Sequence, residues 1–326
     1  MHVACVMSDT TVPRTIFFQT FLNVLGKNRR YLNGKTNSDG AVFFHGEEIS
    51  PELNWPRFGD HNSVFVRGGW VQGVHAQYTT YGDTFIGHPG RKCVINMQSG
   101  SRLARDLVDM VDVFIADINL RQTDRRINPR TVNMPALPIT VGQRTFGARK
   151  HLAAFRGYRS HEVRDSLGLL HNGRDIICEL SRTQDHSGKI DAMAGLIDPR
   201  YAQLMQDAVF ALVPRGDANF SYRLTEAMSF GCIPVIISDN WVLPFDRIVS
   251  WSDMSLRVPE SNIESVPHIL RSIPEATIAY MQRKVAAAYN TYFASPDAVV
   301  ETLLQELELI VPFVDLNADM PLAKAS

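Results

Sequence analysis

Short apolar runs alternate with longer helix-like stretches along the whole chain. The runs at 2–7, 41–45, 63–67, 92–96 and 112–116 predict strands in the first part, and those at 152–156, 175–179, 208–213 and 233–238 predict strands in the second. Strands separated by helical segments imply βαβ units, hence parallel sheets in an α/β fold. Several runs are apolar throughout rather than alternating, as befits strands covered on both faces. Two helices are predicted near the end, at 275–292 and after Pro296 to about 309.

Between the fifth and sixth predicted strands, residues 119–150 carry Pro129, Pro135, Pro138, Gly142 and Gly147 and little helical periodicity. That stretch reads as a connection between domains. A chain of 326 residues exceeds what one hydrophobic core usually serves. The division expected is therefore 1–145, 146–285 and a closing helical segment 286–312 that packs back on the first domain. Hydrophobic residues at 45% and charged residues at 21% are those of a soluble globular protein. A formal net charge of −1 gives no reason to expect nucleic acid or an anionic membrane as partner. Cys5, Cys93, Cys178 and Cys232 form no C-x-x-C pair, so neither a zinc knuckle nor a redox motif is expected. The first residues lack the basic start and long apolar core of a signal peptide, and 16–25 is too short and polar to span a bilayer. A cytoplasmic location without a transmembrane segment is the expectation.

The chemistry concentrates in 208–251. A buried strand ends at Pro214, which cannot continue a central strand because it lacks the N–H donor. A basic glycine loop follows (Arg215, Gly216, Asp217, Ala218, Asn219), then a helix predicted over 221–230, then Gly231 where a helix end wants a positive φ, then the next strand. Ligands of parallel α/β sheets bind at the carboxyl ends of the strands. Arg215 and Arg223 can each offer a planar fork to phosphate oxygens, and Ser221 a hydroxyl. Glu226, one turn further on, suits a ribose diol better than a phosphate. The order fits a nucleoside diphosphate, although Arg223 and Glu226 taken alone could be an i,i+3 ion pair on a helix surface. There is no Asp-x-Asp to hold a metal at a sugar nucleotide, no G-x-G-x-x-G and no G-x-x-x-x-G-K-[ST], which argues against metal-carboxylate, dinucleotide and P-loop sites. The single N-glycosylation sequon, Asn219-Phe220-Ser221, falls inside the proposed loop.

Pro214-Arg215-Gly216, Ser221, Arg223-Leu224, Glu226-Ala227, Gly231-Cys232-Ile233-Pro234-Val235, Leu243-Pro244-Phe245 and Trp251 resemble the exostosin domain of glycosyltransferase family 47. Tyr201 and Met205, and Val163-Arg164 with Leu167, fit the same pattern. The likeness runs from about 149 to 260, and no motif in the first 140 residues joins it. The resemblance implies a GT-B fold, two Rossmann-like domains with parallel sheets facing across a cleft. It implies inverting transfer of a hexosyl or pentosyl group from a UDP-sugar to a glycan hydroxyl, with no metal and no cofactor. Carried onto this chain, Arg215, Ser221 and Arg223 would hold the diphosphate and Glu226 the ribose, Pro214 and Gly216 would belong to the same donor site, and Arg156 and Gly157 would face the same cleft. Neither the membrane anchor nor the second transferase domain of the animal exostosins is expected from this sequence.

Inverting transfer needs a base for the acceptor hydroxyl. Asp9, after the first strand, ranks ahead of His75. Glu47, Glu48 and Asp83 are weaker; Trp55 and Trp70 are candidates to stack on an acceptor sugar, with core packing as the alternative reading. Asp9 is also placed to cap a helix. A non-catalytic nucleotide- or glycan-binding protein that kept the fold is the alternative. An oxidoreductase would need the glycine-rich dinucleotide turn that is missing.

Overall fold

The computed structural model describes residues 2–7, 42–43, 65–67, 92–97, 113–116, 131–136, 141–142, 148–181, 199–216 and 219–310. Strands β1 (His2–Met7), β2 (Val42–Phe43), β3 (Phe65–Arg67), β4 (Lys92–Met97), β5 (Val113–Ala116) and β6 (Thr131–Asn133) make one sheet in the order β2-β1-β4-β5-β6. Every pairing in it is parallel. β4 pairs with β1 along its whole length, while β2 and β3 share the other edge end to end, β2 against Val3–Ala4 and β3 against Cys5–Met7. β6 lies inside the stretch read as a connection. Three residues followed closely by Pro135 are too short a run to register as a strand by pattern.

The second sheet contains β7 (His151–Tyr158), β8 (Ile176–Ser181), β9 (Ala208–Pro214), β10 (Ile233–Ile237) and β11 (Leu256–Arg257), all parallel, in the order β11-β10-β9-β7-β8. Its helices are α1 (Glu162–Gly168), α2 (Pro199–Asp207), α3 (Arg223–Ser229), α4 (Val266–Arg271), α5 (Glu275–Ala288) and α6 (Pro296–Ile310). β10 is buried at all five positions and β9 at all but Val209, as the uninterrupted apolar runs predict. The core gathers Phe155, Phe210, Leu212, Val235 and Phe245 with Trp251, Phe293 and Leu303. A π-helical turn, Tyr289–Phe293, follows α5 and lays Phe293 against Phe245 and Trp251, at centroid distances of 5.9 and 5.8 Å.

The strand order places the candidate site. From β7 the chain moves outward to β8, returns to β9 on the other side of β7, and continues outward to β10 and β11. β7 and β9 therefore flank a topological switch point, where connections depart in opposite directions and leave a crevice at the carboxyl ends. Arg156, Gly157 and Tyr158 end one strand, and Pro214 followed by Arg215 and Gly216 ends the other.

Candidate nucleotide-sugar site

Four arginines meet at this switch point, and each ties separate parts of the chain together. The Arg215 backbone N–H donates to the Ile237 carbonyl at 3.1 Å, which continues the β9–β10 pairing past Pro214. Its guanidinium stands 3.9 Å from Glu260 and keeps about a quarter of its surface exposed. Arg164, on α1, donates to the Arg215 carbonyl at 2.9 Å and to the Tyr158 carbonyl at 2.8 Å, clamping the two strand ends to each other. Arg223 donates from Nε to the Arg156 carbonyl at 3.1 Å and pairs through Nη1 with Glu226. Arg156 itself bonds Glu179 at 2.7 Å, and Arg200 holds the other oxygen of that carboxylate at 2.9 Å. Arg200 first, then Arg156, keep Glu179 below the usual carboxylate range.

α3 begins at Arg223, not at Ser221, and has seven residues. Ser221 is the buried residue of the turn before it, with its hydroxyl 3.4 Å from the Arg223 N–H. A helix this short adds little axial dipole, so positive charge at the crevice comes mainly from the guanidinium groups. The far end of α3 closes as the glycine predicts. Gly231 has φ +73°, its N–H reaches the Met228 carbonyl at 2.9 Å, and the Cys232 N–H reaches Ala227 at 3.0 Å, the paired bonds of a Schellman motif.

The i,i+3 ion pair of Arg223 and Glu226 does form, but not on the surface: Glu226 is 0% exposed. Its carboxylate accepts from Arg223 and, at 3.2 Å, from the Tyr201 hydroxyl. The Tyr201 ring lies under the Arg223 guanidinium, 4.3 Å from ring centroid to charge centre. Burial first, and then the neighbouring Glu226 charge, push the Tyr201 phenol well above its ordinary range, so it stays a proton donor. At Gly216 a Cβ would meet only ordinary contacts, the nearest 3.5 Å away on Arg164. At Gly157 it would come within 3.0 Å of the Phe155 ring, a tighter fit.

The structure thus brings Arg156, Gly157, Pro214, Arg215, Gly216, Ser221, Arg223 and Glu226 to one crevice end. Asp9, His75, Glu47, Glu48, Trp55, Trp70 and Asp83 lie outside the described residues. Sequence reasoning gave no role to Arg164, Tyr201 or Glu179. Tyr201 and Arg164 stood only within the resemblance, and their partners lie 25 and 51 residues away. Among the described residues no group of three His, Cys, Asp or Glu could hold a metal ion, and no helix is long and apolar enough to cross a membrane.

A pair of parallel α/β sheets, with arginines gathered at the switch point of the second, is an architecture that binds ligands at the carboxyl ends of its strands. The exostosin GT47 domain profile matches residues 95–273, more than half of the chain, and the chain belongs to that glycosyltransferase family. The match starts in β4, well ahead of the motifs at 149–260, and takes in β5 and β6. Exostosin-1 of Drosophila melanogaster is 36% identical over 191 residues, covering 53% of this chain and 24% of the fly protein. The exostosin-1 homolog of Caenorhabditis elegans is 28% identical over 169 residues, 48% of this chain and 44% of the worm protein. The chain thus matches less than half the length of either relative. Among solved structures, a glycosyltransferase from Rickettsia africae superposes with a TM-score of 0.46 at 10% identity over 95% of this chain and 99% of that one. WaaG, a glycosyltransferase of lipopolysaccharide biosynthesis, gives 0.43 at 11% over 96% and 100%.

Proposed function

We propose that this chain transfers a sugar, with inversion, from a UDP-sugar to a saccharide hydroxyl, and that it does so without a metal ion on a GT-B scaffold. The observation that carries the reading is the position of Arg215 at the end of β9 and of Arg223 against the end of β7, where its Nε donates to the Arg156 carbonyl, with Arg164 fixing both strand ends. A departing UDP gathers negative charge on its diphosphate, and guanidinium groups beside it offset that charge as it develops. Arg215 and Arg223 take the phosphates, and Ser221 adds a hydroxyl from the turn between them. Arg156 and Gly157 form the β7 side.

Glu226 meets the ribose after an exchange of partners. Its carboxylate is occupied by Arg223 in the unliganded chain. When the diphosphate draws the guanidinium away, the two ribose hydroxyls can replace the lost donors. Inversion requires one in-line displacement with a general base on the acceptor side. The base comes from the first part of the chain, with Asp9 ahead of His75.

Calorimetry of UDP binding in buffer containing EDTA tests the reading. Arg215→Ala is the cleaner variant, because Arg223→Ala also strips a buried carboxylate of its cation and so weakens the fold. The wild-type chain binds UDP in EDTA. Arg215→Ala loses about 1.5–3 kcal/mol, on the order of 10- to 100-fold in Kd. Unchanged affinity in Arg215→Ala removes the diphosphate assignment, and UDP binding that disappears in EDTA and returns with manganese removes the metal-free mechanism.

A further inference from the structure

Tyr201 belongs to α2, outside both strand-end loops, yet it touches two of the residues on which the nucleotide reading depends. Its ring carries the Arg223 guanidinium at 4.3 Å, and its hydroxyl donates to Glu226 at 3.2 Å. The ring is held edge-on by Phe230, with centroids 6.2 Å apart, and the whole residue is 2% exposed. Phenylalanine would fill the same space and support the same guanidinium. What tyrosine adds is a donor aimed at a carboxylate that has no access to water.

That donor matters most when Arg223 leaves. A wholly buried carboxylate stripped of its cation is costly unless hydrogen bonds replace the lost interaction. We propose that Tyr201 is the positioning residue of this exchange: its ring guides Arg223 towards the diphosphate, and its hydroxyl keeps Glu226 in place for the ribose hydroxyls. The inference rests on the nucleotide reading and adds a residue to it. Tyr201 touches neither phosphate nor sugar. It acts through Arg223 and Glu226, and its two ends have separable effects.

Calorimetry with UDP, 2′-deoxy-UDP and inorganic pyrophosphate on wild type, Tyr201→Phe and Tyr201→Leu separates them. Tyr201→Phe weakens UDP about tenfold, as loss of one hydrogen bond to a charged group does, and leaves pyrophosphate within about twofold. The 2′-deoxy nucleotide, which engages Glu226 less, falls between the two. Tyr201→Leu weakens all three ligands, because the support under Arg223 is gone. In a Glu226→Gln background, Tyr201→Phe has no further effect on UDP. Tyr201→Phe binding UDP like the wild type, or losing UDP and pyrophosphate equally, overturns the inference while the nucleotide reading stands. A wild-type chain that binds no UDP overturns both.

Discussion

Burial decides how the described cysteines behave. Desolvation pushes the Cys178 thiol up to about 12 and the Cys232 thiol up to about 11, although Arg149 beside Cys232 works in the opposite direction. Cys232 also donates to the Met205 carbonyl at 3.0 Å. Since the thiolate is the nucleophile, less than about 1% of either group is reactive at pH 8. Peptide mapping after brief alkylation at pH 8 should find Cys178 and Cys232 unmodified in the folded chain and fully modified in urea. Rapid labelling of either in the native state contradicts their placement. Both cysteines stand in or beside apolar runs of the sequence, in keeping with their burial. The sequence could not foretell Arg149, which serves the carbonyls of Met205, Ala208 and Phe230 at 2.7–2.9 Å. Those acceptors belong to the ends of α2 and α3 and the start of β9, and only the folded chain brings them to one guanidinium. Glu226 makes the same point: its residue type and spacing were legible, but its complete burial was not, because the cover comes from Tyr201 and Arg223 together.

At the scale of elements, the β9–α3–β10 unit turns on Gly231. Its φ of +73° lies in the left-handed region, where a Cβ is disfavoured by roughly 1–2 kcal/mol. Gly231→Ala should lower unfolding stability by about 1 kcal/mol, read as a reduced urea midpoint at unchanged slope. No change in midpoint would mean that the turn after α3 is not built as described. The glycine, the strands on either side and the helix between them were all readable, because each has a local signature. The start of α3 was not: Ser221 looked like a first helical residue, yet the helix begins at Arg223 with Tyr222 before it and no side-chain cap. β6 and β11 escaped for a related reason. With three and two residues they have no periodicity, and they exist through pairing with β5 and β10.

At the scale of the molecule, two all-parallel sheets were legible from the alternation of apolar runs and helices, and this is the two-part α/β layout that the GT-B expectation requires. The contacts that join β6 to the later half were not legible. Phe245 donates to the Asn133 carbonyl at 2.8 Å, and Asn133 returns a bond to Val242 at 3.2 Å. Arg247 spans the Thr131 carbonyl at 3.0 Å and Glu306 of α6 at 2.7 Å. These partners are more than a hundred residues apart for β6 and 59 apart for the ion pair, beyond any local pattern. The proposed function draws on the strand order at this scale. The chain reverses direction between β7 and β9, and Arg215 and Arg223 lie beside those strand ends. A crystal structure with UDP is the most direct test. The account predicts the diphosphate between the ends of β7 and β9, held by the Arg215 and Arg223 guanidinium groups, with the ribose hydroxyls at Glu226. UDP bound elsewhere, or bound there with Arg223 still paired to Glu226 and no arginine on the phosphates, contradicts it.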